Sequence, residues 1–420
     1  MDLQIFPPEE VIETTIELPL SKSMSNRALI MNALTPAAQP LPEVAQCDDT
    51  QAMETALAQW HSAAGQPFEA NVGPAGTAMR FLTAFFAASP GCEVVLDGSE
   101  RMRQRPIGQL VDALRQCGAS VEYVEREGFP PLRIVGAQLS GGNFDIDASI
   151  SSQFLSALLM VAPTMDTPLT LNLKGEIASL PYLQMTIAMM QRRGIEIERE
   201  GQTVTCQPGV YLQRADCEIE RDWSAASYWY EIDALSAGWV TLTDLTLPSL
   251  QGDSALAQIF PKLGIITEIE EGNAVLNPTP EMHSRLDLDL SATPDIAQTL
   301  AVTCCMLGVP FRFSGLKSLK IKETDRIDAL MRELKKLSFA LEAEADGVLS
   351  WEGHRVPVRE VPPIETYSDH RMAMAFAPVA LYLPGIVIRD ADVVSKSYPG
   401  YWDDLKRAGF TLNEVGVEAE

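Results

Sequence analysis

The 420-residue sequence predicts an α/β protein of six like modules. Two observations lead there. One grammar recurs six times: a polar or proline-led start, an amphipathic stretch, a chain break, then period-2 alternation. A second helix, apolar almost all round, stands ahead of each recurrence. Composition agrees, since 46% hydrophobic and 21% charged residues describe a globular chain. At 420 residues the chain passes the size at which single cores stop growing, so two domains are expected.

The amphipathic stretches are "DDTQAMETALAQW" from Asp48, "PIGQLVDALRQCGASVEYVE" from Pro106, "LPYLQMTIAMMQRRGIEIERE" from Leu180, "GDSALAQIFPKLGIITEIE" from Gly252, "TDRIDALMRELKKLSFALEAE" from Thr324 and "PGYWDDLKRAGFTLNEV" from Pro399. Their starts lie roughly 58 to 75 residues apart. In the fifth, Thr324 is read as the N-cap, Asp325 as a first-turn acid, and Ile327, Leu330, Met331, Leu334 and Leu337 as the buried stripe. Two helices and two or three strands are expected per module.

The second helices are "SKSMSNRALIMNAL", "GPAGTAMRFLTAFF", "SISSQFLSALLMVA", "DWSAASYWYEIDAL", "TPDIAQTLAVTCCML" and "SDHRMAMAFAPVAL". Apolar interiors suit helices buried at a domain centre, while the first turns carry Ser, Thr, Asp, Arg and His. Free N–H groups and the positive end of the helix dipole attract anions there. Any one of these ends is explained by capping alone; six together point to an anion-binding face. Basic residues gather at the same junctions: Lys22, Arg27, Arg80, Arg101, Arg103, Arg105, Lys322, Arg326, Arg371 and Lys396. Arg forks suit phosphate and carboxylate. The expected ligand is small and multiply anionic.

Several classes are disfavoured. A net charge of -25 repels nucleic acid and anionic membranes. The acidic N-terminus is unlike a secretory or transit peptide, and the apolar runs are too short to span a bilayer, so a soluble cytoplasmic protein is expected. Cysteines 47, 92, 117, 206, 217, 304 and 305 form no C-x-x-C pair and read as free thiols. The four histidines are scattered, so no metal is expected, and neither G-x-G-x-x-G nor a P-loop motif occurs.

"LPLSKSMSNRALIMNAL", "GPAGTAMR", "SERMRQRPIGQLVDAL", "SISSQFLSALLMVAP", "SLPY", "DWSAASY", "TPDIAQTLA", "IKETDRI", "YSDHRMAMAF" and "VSKSYPGYWDDL" occur in the order found in the EPSP synthase family of enolpyruvyl transferases. The chain resembles that family from about Leu18 to Phe410. The resemblance implies two inverse α/β domains, each of three βαβαββ-like repeats around buried helices, with the active site in the interdomain cleft. Residues 1–18 and 222–420 would form the domain closed by both chain ends, and 19–221 the inserted one. It implies transfer of the enolpyruvyl group of phosphoenolpyruvate to the 5-hydroxyl of shikimate 3-phosphate, by addition and elimination, in a monomer without cofactor. Closure of the domains on the ligands would exclude water.

Carried over residue by residue, the resemblance implies Asp295 as base for the hydroxyl, Glu323 as proton donor at C3, and Lys22 touching both substrates and sharing in proton transfer. For shikimate 3-phosphate it implies Lys22, Ser23, Arg27, Ser151, Ser152, Gln153, Ser179, Asp295 and Lys322. For phosphoenolpyruvate it implies Lys22, Gly76, Arg105, Gln153, Arg326, Arg371 and Lys396. Tyr182 and His370 stand open between site and structural roles, and Arg101 and Arg103 read as solvated or structural charges. The serines and Asp295 each have a plainer reading as caps.

The chain departs from the family pattern at Leu20, Pro74, Leu180 and Ser318, which take the places of a common Gly, Asn, Lys and Asn. Two rivals remain: the enolpyruvyl transferase acting on UDP-N-acetylglucosamine, and a catalytically silent anion-binding protein on the same scaffold. The first usually has a Cys in the loop matching "SERMRQRP", and none is present. RNA 3'-phosphate cyclases, of related fold, sit poorly with the net charge of -25.

Overall fold

Residues 1–149, 151–213, 219–358 and 361–416 are described by the computed structural model. They divide into two compact units, one of Met1–Pro19 with Glu220–Glu420, the other of Leu20–Ile219. Cys217, among the expected free thiols, lies outside the described residues. The other six cysteines are free and buried.

In the Leu20–Ile219 unit the inner helices are Lys22–Ala33, Gly76–Ala87 and Ser152–Val161. The last two have no polar stripe to turn outward and are buried almost all round, as their composition requires. The outer helices are Asp48–Ala63, Gly108–Gln116 and Leu180–Arg192. Each buries one stripe: Leu110, Val111 and Leu114 face inward while Asp112, Arg115 and Gln116 are exposed.

Two sheets of identical order cover these helices. Phe68–Asn71 runs parallel to Glu93–Asp97, which pairs antiparallel with Leu132–Val135, and that with Ser120–Tyr123. Gly142–Asp147, Leu169–Lys174, Thr203–Cys206 and Ile197–Glu200 repeat the pattern. In both, the parallel pair is joined through an inner helix, the crossover that parallel strands require. Alternation sets the face, with Leu169, Leu171 and Leu173 buried between half-exposed Thr170 and Asn172.

The other unit repeats the order in Glu13–Glu17, Trp239–Thr243, Asn273–Met282 and Leu263–Glu270. It does so again in Leu286–Asp289, Phe311–Ser314, Val348–Trp351 and Glu342–Glu344. Its third sheet joins both chain ends: Asp2–Phe6 lies between Ile386–Ile388 and Thr411–Val415, and Ile364 bridges Ile388 in parallel. The inner helices are Trp223–Ser236, Ala297–Leu307 and His370–Phe376. Six helix pairs thus share five sheets, because among the described residues no strand falls between Lys22 and Pro67.

One local expectation is corrected. Asp325, not Thr324, caps the Arg326–Lys336 helix, its Oδ1 accepting from the Ile327 and Asp328 amides, both at 3.2 Å. Both residue types cap well, and the helix enters one residue later than read. Ile327, Leu330, Leu334 and Leu337 are buried as expected, with Met331 half-buried.

Candidate active site

In the Leu20–Ile219 unit, Lys22, Ser23, Gly76, Ser151, Ser152 and Gln153 stand at the N-terminal ends of inner helices. Lys22 opens the Lys22–Ala33 helix, capped by Ser21, and its Nζ lies 3.1 Å from Oδ2 of the buried Asp49. Ser151 caps its own helix, accepting from the Gln153 amide at 3.3 Å, and Ser152 is the first helical residue. Gln153 Nε2 donates to Thr77 Oγ1 at 3.0 Å, tying two inner-helix starts together.

Those starts carry a cationic cradle. Arg80 Nη1 donates to the Gly76 carbonyl at 2.8 Å. A Cβ on Gly76 would stand 2.7 Å from Arg105 Nη1 and 2.9 Å from both Arg105 Nη2 and Arg80 Nη1. Only a residue without a side chain lets both guanidinium groups close on this helix start. The Gly76–Ala87 helix also directs its first N–H groups and its positive dipole end here. Two guanidinium groups, free helix N–H groups and the Gln153 amide suit an anion with several oxygens.

Arg27 sits elsewhere. It is fully buried, donating from Nε to Thr186 Oγ1 at 2.7 Å, from Nη1 to the Ser23 carbonyl at 2.8 Å, and from Nη2 to Ser156 Oγ at 3.2 Å and the Tyr182 carbonyl at 3.3 Å. Its guanidinium lies over the Phe81 and Tyr182 rings at 5.3 and 5.7 Å. Burial lowers its pKa to about 10. These contacts bolt the Lys22–Ala33 helix to its neighbours. Ser179 precedes the Leu180–Arg192 helix with φ 51°, a left-handed conformation uncommon for serine. Arg103 forms ion pairs with Asp97 and, at 2.8 Å, with Glu125.

In the other unit the candidate residues converge on one guanidinium. Arg326, 1% exposed, donates from Nε to Asp369 Oδ2 at 2.6 Å, from Nη1 to Asp295 Oδ1 at 3.0 Å and from Nη2 to Glu323 Oε2 at 2.9 Å. Lys322 Nζ and Arg371 Nη2 approach Asp295 at 3.5 and 3.6 Å, and Lys396 Nζ reaches Glu323 Oε1 at 3.0 Å. His370 Nδ1 is 3.6 Å from Asp369 Oδ1. Asp295 lies in the turn Pro294–Ile296 ahead of the Ala297–Leu307 helix, and no side-chain cap is formed there. Asp295 is thereby held by cations from three other segments, a role beyond that of a plain cap. Burial opposes the charge on Arg326, but Asp369, Glu323 and Asp295 outweigh it and hold the group above its ordinary pKa.

Chemically, this cluster sets three carboxylates, those of Asp369, Asp295 and Glu323, at fixed positions on one planar fork, with three further cations around them. Such an arrangement can move protons while holding anions. Four residues that sequence reasoning gave no individual ligand or catalytic role touch candidate residues: Asp49 and Arg80 in the Leu20–Ile219 unit, and Asp369 and Tyr228 in the other. Tyr228 OH accepts from Arg371 Nη1 at 3.5 Å. Arg80 was visible as a charge at a helix junction, and Asp369 as the acid in "SDHRMAM", but nothing local pairs Asp369 with a residue 43 positions earlier. Among the described residues no group of three His, Cys, Asp or Glu could hold a metal ion, and no helix is long and apolar enough to cross a membrane.

A profile of EPSP synthase (3-phosphoshikimate 1-carboxyvinyltransferase) matches residues 7–405. The chain belongs to the EPSP synthase family. It is 49% identical over 409 residues to the 3-phosphoshikimate 1-carboxyvinyltransferase of Bacteroides fragilis strain YCH46, covering 97% of this chain and 98% of that protein. It is 36% identical over 429 residues to the enzyme of the same name from Pectobacterium carotovorum, covering 95% and 97%. In fold it is similar to the EPSP synthase of Acinetobacter baumannii, with a TM-score of 0.71 at 20% identity over 98% of this chain and all of that one. The enolpyruvyl transferase NikO from Streptomyces tendae gives 0.73 at 14% identity, over 98% of each. An enzyme of this family acts on small anionic substrates, and each of the two clusters is rich in cations.

Proposed function

We propose that this protein transfers the enolpyruvyl group of phosphoenolpyruvate to the 5-hydroxyl of shikimate 3-phosphate, releasing phosphate through a tetrahedral intermediate. The observation that carries the reading in the structure is Arg326, whose guanidinium holds both Asp295 and Glu323. Asp295 takes the hydroxyl proton as the oxygen bonds to C2, and C3 is protonated. Elimination then returns that proton as the C2–O bond to phosphate breaks. Glu323 serves C3, with Lys22 sharing in proton transfer. Lys396 and Arg326, which flank Glu323, are also the cations that the anionic groups of phosphoenolpyruvate would engage.

Arg105, Gly76 and Gln153 take further contacts to phosphoenolpyruvate, with Arg80 closing the cradle and Arg371 serving from the other cluster. Ser23, Ser151, Ser152, Ser179, Lys22 and Lys322 take shikimate 3-phosphate. Arg27 is assigned to shikimate 3-phosphate in the same reading, its nitrogens, like those of Arg326, being bonded within the protein before any ligand arrives. A cytoplasmic monomer is part of the same reading. Phosphate release from phosphoenolpyruvate, followed in parallel with shikimate 3-phosphate and with UDP-N-acetylglucosamine, tests it. Release with the first alone is expected, release with the second alone sinks the reading, and binding of both substrates without release favours a silent scaffold.

A further inference from the structure

Outside the residues assigned above, one buried carboxyl in the Met1–Pro19 and Glu220–Glu420 unit is mounted as if for a purpose. Asp253 lies in the 3₁₀ turn Gly252–Ala255 and is 3% exposed. Its Oδ2 accepts from Ser224 Oγ, in the first turn of the Trp223–Ser236 helix. Its Oδ1 is buried and has no hydrogen-bond partner among the described residues. A buried carboxyl with one oxygen unsatisfied costs stability, so packing alone does not account for it.

The mounting is rigid. Gln251, two residues earlier, accepts from the Trp223 amide at 3.1 Å and donates to the Arg221 carbonyl at 2.7 Å. The same helix reaches across to the neighbour that carries Asp295: Ser227 Oγ and Thr299 Oγ1 lie 3.0 Å apart, and the Ala297–Leu307 helix continues directly from the Pro294–Ile296 turn. The Gly252–Ala255 turn and the Pro294–Ile296 turn both pack against the Trp223–Ser236 helix, and the charges that act on Asp253 are Asp295 and Arg371 from the reacting cluster and Asp222 at the helix start. Resting on the assignment of Asp295 as base, we propose that Asp253 is a positioning residue whose negative charge strengthens Asp295 as acceptor of the substrate hydroxyl's proton. Asp253 touches no reacting atom and adds no covalent step. The hydroxyl proton goes to Asp295 and the O–H electron pair to the new bond at C2.

Two like charges in one buried cluster cannot both ionise at ordinary cost, and each raises the proton affinity of the other. Burial first, and then the charge of Asp295, pushes Asp253 up to about 6, with Arg371 and the Ser224 hydroxyl pulling the other way. Under this proposal the coupling shows as two linked steps in the rate. With Asp253 ionised, Asp295 is a stronger base; with Asp253 protonated, it is a weaker one.

The test is the pH profile of kcat for the intact enzyme and for Asp253→Asn, Ser224→Ala and Asp295→Asn, with KM for shikimate 3-phosphate measured alongside. The wild-type acid limb should fall in two steps. Asp253→Asn should lower the plateau roughly tenfold, leave KM within about twofold, and reduce the limb to one step displaced downward by about one pH unit. Ser224→Ala, which removes a donor to ionised Asp253, should move the upper step the opposite way. A wild-type limb and plateau in Asp253→Asn overturns the inference. Should that variant not fold, an unmoved limb in Ser224→Ala overturns it instead. Wild-type kcat in Asp295→Asn removes the base assignment and the inference with it. A crippled Asp295→Asn beside an unaltered Asp253→Asn removes this inference alone.

Discussion

Arg326 grips Asp369 through two nitrogens, Nε to Oδ2 at 2.6 Å and Nη2 to Oδ1 at 3.2 Å, inside a shell that leaves the arginine 1% exposed. The pair is what turns the remaining guanidinium edges toward Asp295 and Glu323. Asp369 also caps the His370–Phe376 helix, accepting from the Arg371 amide at 3.0 Å. Asp369→Asn keeps an acceptor for that cap but withdraws a buried counter-charge, a loss on the order of 3–5 kcal/mol. Activity should fall at least tenfold and the melting temperature should drop. Asp369→Ala should cost about 1 kcal/mol more, the usual worth of a cap. Wild-type kcat in the Asn variant would contradict the positioning role.

Gly76→Ala places a methyl 2.7 Å from Arg105 Nη1 and 2.9 Å from Arg80 Nη1. Side-chain ends can yield, so the fold should survive, while both guanidinium groups move off the helix start. The KM for phosphoenolpyruvate should rise roughly tenfold, about 1.4 kcal/mol, with that for shikimate 3-phosphate changed far less. Equal changes in both would place the glycine's role in packing.

Arg27→Ala separates a structural arginine from a ligand-binding one. Its removal leaves Thr186, Ser156 and two carbonyls short of a donor. Loss of about 2–4 kcal/mol is expected, seen as a melting temperature lower by roughly 5–10 °C. A variant of wild-type stability with weakened shikimate 3-phosphate binding would restore the binding assignment.

Asp233 is buried with neither carboxylate oxygen hydrogen-bonded among the described residues, and burial pushes its pKa up from 3.8 to about 8. A carboxyl whose folded pKa is raised keeps its proton while the unfolded chain has lost it. Stability should therefore fall as pH rises from about 4 to about 8 and then level off. Thermal melts at pH 5 and pH 9 should show a smaller decline for Asp233→Asn than for the wild type. An equal decline would place the penalty elsewhere.

The repeat was legible because helix and strand periods are local, and the apolar inner helices announce burial without tertiary knowledge. That both chain ends close one domain was legible only through the family resemblance. Asp2–Phe6 pairs with Thr411–Val415, and no local pattern reports a partner some 400 residues away. Cap identity at Thr324 or Asp325 turned on a single residue of phase. At the candidate site, the charges were legible as residue types at helix starts, whereas their pairing was not. Arg326 read as a group for an anionic ligand, yet its nitrogens hold three carboxylates. Arg27 read as a group for the phosphate of shikimate 3-phosphate, yet apolar rings and hydroxyls far along the chain enclose it.

The measurement that bears most directly on the account is made on Asp295→Asn: kcat in the presence of both substrates, and the dissociation constant for shikimate 3-phosphate by titration. If Asp295 is the base, kcat should fall by roughly 100-fold or more while the dissociation constant stays within about threefold. An unchanged kcat with weakened binding would contradict that role and make Asp295 a ligand contact.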